Sequence, residues 1–185
     1  HGIRAWPVVA DLSSPDAPVS VLREIDRLGI GADIDALVNN AGFGLRGRFA
    51  ETSIERNLAM IRVNVAALTH LTHLFLPGML ARRTGMILNV ASTAAFQPGP
   101  LMSVYYATKA YVLSFSLALS VELEGTGVTS TVLCPGPTAT GFQAVARVEG
   151  TALASRSLVM DAARVARAGY RGMLRGRPMV TPGML

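Results

Sequence analysis

The amino-acid sequence predicts an α/β protein built on a parallel β-sheet with both faces covered. Two observations predict it. Strand-like and helix-like segments alternate along the chain, and the strand-like ones are nearly continuous apolar runs where a half-exposed strand would alternate apolar with polar residues.

Taken in order, residues 3–10 read as the first strand. Ser14, Pro15 and Asp16 then supply an N-cap, a proline for the first helical position and an acid for the first turn, opening a helix to about residue 28. Residues 34–39 form a short buried strand. Thr52 and Glu55 make a capping box ahead of a long apolar helix that is expected to run to Leu76 and stop at Pro77, with Asn64 in its middle. Residues 85–91 and 128–134 are β-rich, the second closed by Pro135 and Gly136, and a helix over about residues 103–124 joins them. A helix over residues 160–174 and a short strand near Met179 complete the chain. There is no internal repeat and no low-complexity tract.

The length of 185 residues suits a single domain over residues 1–185. Half of the residues are hydrophobic and only 16% are charged, a balance that fits elements buried on more than one side and an oligomer, a homodimer or homotetramer. The uncharged apolar stretch over residues 110–121 falls well short of the roughly 20 residues that cross a bilayer, so no transmembrane helix is expected. One cysteine, Cys134, cannot form an internal disulfide, which suits a reducing compartment, with the cytoplasm as the default. The net charge of +5 comes from 17 basic residues, of which 16 are arginine; Lys109 is the only lysine. A position that keeps lysine in a chain otherwise committed to arginine points to a site where a compact point charge is needed and a planar fork will not serve.

In a parallel sheet, sites form outside the carboxyl ends of the strands. The residues there are Asp11, Asn39 to Gly44, Ser92, and Pro135 to Thr140. Thirteen residues after Ser92, Tyr105 opens a helix with Lys109 four residues on, so both side chains share one helix face. A phenol with a free pKa near 10 is a poor proton-transfer group at neutral pH unless its anion is favoured, and a nearby ammonium favours it. A hydroxyl such as that of Ser92 can hold a carbonyl oxygen while charge develops on it. The set is chemically complete for reducing a carbonyl once a hydride donor is bound.

With these residues in place the chain resembles the short-chain dehydrogenases/reductases over nearly its whole length. The matching pieces are Asn39-Asn40-Ala41-Gly42, Asn64, Asn89-Val90-Ala91-Ser92, Tyr105-Tyr106-Ala107-Thr108-Lys109, and Pro135-Gly136-Pro137-Thr138-Ala139-Thr140. The resemblance implies a Rossmann-like doubly wound parallel sheet and an NAD(P)-dependent oxidoreductase, NADP slightly favoured, acting on a carbonyl or secondary alcohol of an apolar small molecule. It implies Tyr105 as general acid/base, Lys109 as the group that lowers its pKa and holds the nicotinamide ribose, Ser92 as the hydroxyl that polarises the substrate oxygen, and Asn64 as holder of a water that links Lys109 to solvent. It further implies that Asp11 contacts the adenine, that Asn39, Ala41 and Gly42 line the adenosine side, and that Pro135, Gly136, Thr138 and Thr140 embrace the nicotinamide amide and phosphates. Residues 142–160, rich in Ala, Leu and Val, fall where the family places its substrate lid.

The family's glycine-rich loop joins its first strand and first helix, ahead of the segment where this sequence begins. The expectation is therefore a sheet lacking the family's first two strands, in a natural protein that starts upstream and extends past Leu185. Gly42-Phe43-Gly44-Leu45-Arg46-Gly47 matches a dinucleotide-loop pattern, but the following helix opens only at the cap near Thr52, and no acid lies about 20 residues on, so it reads as a decoy. Tyr106, three residues before Lys109, is the alternative to Tyr105. Asn39 and Asn40 serve equally well as turn residues, and Cys134 reads as core. His70 and His73 are spaced for a metal, but no acid accompanies them, and no metal site is expected. The stripe Arg164, Arg167, Arg171, Arg175 reads as a solvated face; it leaves association with an anionic membrane surface open, and nucleic acid is not expected because no aromatic ladder accompanies it. A non-catalytic binding or scaffold role for a family member is the rival reading.

Overall fold

The structure, a computed structural model, describes residues 4–31, 34–142, 146 and 159–183. Its centre is a four-stranded parallel sheet in the order β1-β2-β3-β4, made of Ala36–Asn39 (β1), Gly85–Val90 (β2), Val128–Leu133 (β3) and Met179–Val180 (β4). Helices α1 (Ala17–Arg27), α2 (Ile54–Ile61), α3 (Leu68–Arg82), α4 (Ser103–Glu122) and α5 (Ala162–Leu174) surround it.

Period-two alternation within the strands decides which helices cover which face. Ile87 and Val128 pack with Phe75, Met79, Leu119 and Leu123 of the α3 and α4 layer, and Leu22 and Ile25 of α1 close that cluster from outside. On the opposite face Met86, Leu88, Val90 and Leu133 meet Val165 and Met173 of α5. Both faces of β2 and β3 are therefore covered, which is why β2 reads as a nearly continuous hydrophobic run and why the short hydroxyl side chains of β3 are largely buried.

A chain of hydrogen bonds crosses the buried α3/α4 side. Asn39 Nδ2 donates to Asn89 Oδ1 (2.9 Å) and to Thr72 Oγ1 (3.1 Å), and Asn89 Nδ2 donates to Ser116 Oγ (2.9 Å). Asn39 and Asn89 stand opposite each other in the β1–β2 register, so a one-residue slip of β1 would break the bond between them and leave Asn89 Oδ1 without it. Two hydroxyls of β3 lie outside such pairing: among the described residues neither Thr129 Oγ1 nor Thr131 Oγ1 has a hydrogen-bond partner, and Thr131 is fully buried.

Several expectations are corrected. Residues 4–10 do not form a strand: they pair with nothing in the sheet, and Val9 is fully exposed. An apolar run becomes a strand only when a neighbouring edge takes up its amides, and among the described residues none does. The first helix opens at Ala17, with Asp16 at the N-cap and Pro18 in the first turn, not at Ser14. The next helix is capped by Ser53, whose Oγ accepts from Arg56 N (3.1 Å), while Thr52 instead accepts from Asn57 Nδ2 (2.9 Å). That helix also does not stop at Pro77. It runs on through a π turn at Arg62–Ala67 and through Pro77 to Arg82, because Met79, beyond the proline, is almost wholly buried against β2. Gly85 makes room for it, since a Cβ there would lie 2.6 Å from Met79. The combined helix, Ile54–Arg82, reaches 29 residues and is long and apolar enough by composition to cross a bilayer, yet its buried residues pack against α4 and the sheet and include the polar Asn57, Asn64 and Thr72, as suits a core helix.

Candidate active site

The carboxyl ends of β1, β2 and β3 open onto a cavity of about 690 Å³. Ser92 follows β2, extended at φ −171°, and caps the 3-10 turn Thr93–Phe96 by accepting from Ala94 N (3.1 Å). Tyr105 and Lys109 lie in the first two turns of α4, both buried and both lining the cavity with Ser92.

Burial dominates the electrostatics of the pair. It pushes the Tyr105 phenol up to about 12, against the pull of a hydrogen bond with the Ser92 hydroxyl. It pushes the Lys109 ammonium down to about 8. The expected lowering of the phenol's pKa by Lys109 is thus corrected for the chain as it stands. The ammonium donates to Val90 O (2.7 Å) and lies 5.9 Å from the centre of the Tyr105 ring. Tyr106, the alternative, is half-buried beside the catalytic candidate, its ring edge-on to that of Tyr105 at 6.0 Å. Ser92 acts on the phenol of Tyr105, which is buried where Tyr106 is half-buried, and both observations favour Tyr105 as the candidate.

Asn64 sits inside the π turn, 2% exposed. Its Oδ1 accepts from Phe43 N (3.1 Å), and its Nδ2 donates to Phe43 O (3.0 Å) and to Thr108 Oγ1 (3.0 Å). It therefore ties the loop after β1 to α4. π turns commonly mark functional sites, and here the turn carries the one polar side chain that reaches both segments. A Cβ on Gly42 would lie 3.0 Å from Asn64 Oδ1 and 3.5 Å from Lys109 Nζ, so glycine lets the loop pass over both.

Gly42, Pro135, Gly136, Thr138 and Thr140 line the cavity as expected, together with Asn40. The segment 137–139 is held by a bridge between Thr138 and Met160, with Met160 N donating to Pro137 O (2.8 Å) and Ala139 N to Met160 O (2.9 Å). Asn39 and Asp11 are placed otherwise. The Asn39 side chain is turned into the core, and the exposed Asp11 carboxylate accepts from Ser13 N and Oγ, bonds that hold its pKa down; neither lines the cavity, and Ala41 does not line it either. Phe43, Ala94, Gln97, Met102 and Phe142 also line the wall, residues whose only sequence signal was their nearness to Ser92, Tyr105 and Gly42, and Ala162, Val165 and Ala166 of α5 close it with no such signal. Of the expected lid, only 142, 146, 159 and 160 lie within the described residues. The decoy glycine run behaves as read: Gly47 N donates to Leu101 O, and no helix opens there. Cys134 is wholly buried, its thiol pushed up to about 11 by burial.

The donor set suits a dinucleotide. The buried ammonium spends one N–H on Val90 O and faces the cavity with its others, as ribose hydroxyls require, and the glycine at 42 leaves the wall beside it without a side chain.

Comparison with known proteins agrees with this geometry. The family model for short chain dehydrogenase matches residues 1–149. An uncharacterized oxidoreductase of Bacillus subtilis is 39% identical over 129 residues, covering 70% of this chain and 48% of that protein. The NADP-dependent 3-hydroxy acid dehydrogenase of Salmonella typhi is 46% identical over 105 residues, covering 56% of this chain and 42% of that protein. Among solved structures, a short-chain dehydrogenase from Sphingobium yanoikuyae in complex with NADPH superposes with a TM-score of 0.82 at 31% identity, covering 95% of this chain and 66% of that one. The chain thus spans about half the length of the curated relatives it matches. With the parallel sheet, the Ser92, Tyr105 and Lys109 arrangement and this match in agreement, the chain belongs to the short-chain dehydrogenase family.

Proposed function

We propose that the protein reduces a carbonyl to a secondary alcohol with NAD(P)H, NADP(H) being favoured because relatives are NADP-dependent or hold NADPH. The observation that carries this reading is the meeting of the Tyr105 phenol and the Ser92 hydroxyl at the cavity, with the Lys109 ammonium buried beside them. When bound, NAD(P)H would supply the hydride. Ser92 holds the carbonyl oxygen by hydrogen bonding as negative charge gathers on it. Tyr105 gives its proton to that oxygen, and Lys109, cationic at neutral pH, stabilises the phenolate left behind and anchors the ribose. At neutral pH the phenol is protonated, the state that donates.

The substrate is neutral and apolar. Among the described residues, Lys109 is the only charged side chain that lines the cavity, so nothing else there would pair with a carboxylate, in contrast to what a 3-hydroxy acid dehydrogenase must accommodate. The test is Tyr105→Phe in the intact protein. Turnover of a neutral aryl ketone should fall by roughly 10²- to 10⁴-fold while NADPH binding is kept. Unchanged turnover would overturn the reading.

A further inference from the structure

Resting on that reading, we infer that Phe142 is the side chain that limits the size of the group carried by the substrate carbonyl. Its ring packs on Tyr105, centroids 5.2 Å apart and planes at 46°, on the cavity side. Three segments far apart in the chain meet there: the loop after β1 brings Gly44, the turn before α4 brings Met102, and the segment after β3 brings Phe142. A Cβ on Gly44 would lie 2.8 Å from Phe142 Cζ and 3.2 Å from Met102 Cε. Gly44 does not have the left-handed backbone that would itself call for glycine, so the space left by its missing side chain is what seats the ring. Phe142 N donates to Thr140 Oγ1 (3.2 Å), which links the ring's backbone to a segment that lines the cofactor side of the cavity.

The ring therefore stands as a partition beside the proton donor. The phenol and the Ser92 hydroxyl fix where the carbonyl oxygen goes, and the partition decides how much room is left on one side of the carbonyl carbon. The cavity there is apolar, lined by Phe43, Ala94, Met102 and Tyr106, so what the partition sets is size and not charge.

Two variants move the partition in opposite directions. Phe142→Ala removes it. Gly44→Ala pushes the far end of the ring, a part of the side chain free to swing, towards the cavity. The intact protein is assayed with NADPH against cyclohexanone, acetophenone and benzophenone, and the benzophenone-to-cyclohexanone ratio of kcat/KM is read. Phe142→Ala should raise that ratio about tenfold and Gly44→Ala should lower it severalfold. Phe142→Leu, which keeps apolar bulk, should fall between the wild type and Phe142→Ala and guards against loss of folding. If the wild type reduces the ketones and the ratio is unmoved in all three variants, the assignment of Phe142 is overturned while the function stands. If the wild type reduces none of them, the reading of the site fails and this inference fails with it.

Discussion

The Lys109 ammonium sits 5.9 Å from the centre of the Tyr105 ring while its hydrogen bond goes to the Val90 carbonyl. The two groups are adjacent, yet burial shifts them in opposite senses, the phenol up to about 12 and the ammonium down to about 8. Lysine therefore loses its proton before tyrosine does, the reverse of the order expected from a pair in which the cation simply lowers the phenol.

That order has a kinetic signature. Because kcat/KM reports the free enzyme, its pH profile in the reduction direction should fall on an upper limb near pH 8, set by the loss of charge on Lys109. A flat profile to pH 10 would show that the ammonium is held far better than its burial implies.

The same shift bears on stability. Lys109 is depressed in the folded state from 10.5 to about 8, so between those values the unfolded chain binds more protons and stability rises with pH. Below pH 8 the full penalty applies, of order 3 kcal/mol at about 1.4 kcal/mol per pKa unit. Lys109→Met should accordingly raise the urea midpoint at pH 7, and the gain should shrink as pH approaches 10. A gain that does not vary with pH would sink the assignment.

Asn64 offers a separate test. Replacement by Leu removes its hydrogen bonds to Phe43 N, Phe43 O and Thr108 Oγ1, and leaving those groups unpaired should destabilise the fold by about 2 kcal/mol. Backbone amide exchange at Phe43 and Gly44 should quicken at the same time. Unchanged exchange there would show that the loop holds itself.

Thr131 should respond in the opposite sense. Its buried hydroxyl has no partner among the described residues, so Thr131→Val, nearly equal in shape, should stabilise the protein by about 1 kcal/mol in chemical denaturation. A loss of stability would reveal a partner for the hydroxyl.

The parts of the fold legible in the sequence are those governed by local pattern. β1, β2, β3 and α4 follow from apolar runs bounded by turn residues, and Ser92, Tyr105 and Lys109 follow from fixed spacing. Residues 4–10 have the composition of a strand, but strand formation depends on a neighbour that composition does not reveal. The π turn keeps the apolar period of an α-helix, so Asn64 read as a mid-helix residue and its clamp on Phe43 was invisible. Asn39 suits a turn and a buried network equally, and only the register opposite Asn89 shows which it serves. Gly44, Met102 and Phe142 lie 98 residues apart at their extremes and carry no motif, so their meeting beside Tyr105 belongs wholly to tertiary structure.

At the margin of the sheet, β1 has a neighbour on one side only among the described residues, and its Val38 is half exposed. Among the described residues its outward edge pairs with nothing, and a short apolar strand in that state is adhesive to any extended peptide of matching length. A charged residue at Val38 should therefore act as a gatekeeper, weakening the pairing of this edge with an added extended peptide without touching the cavity.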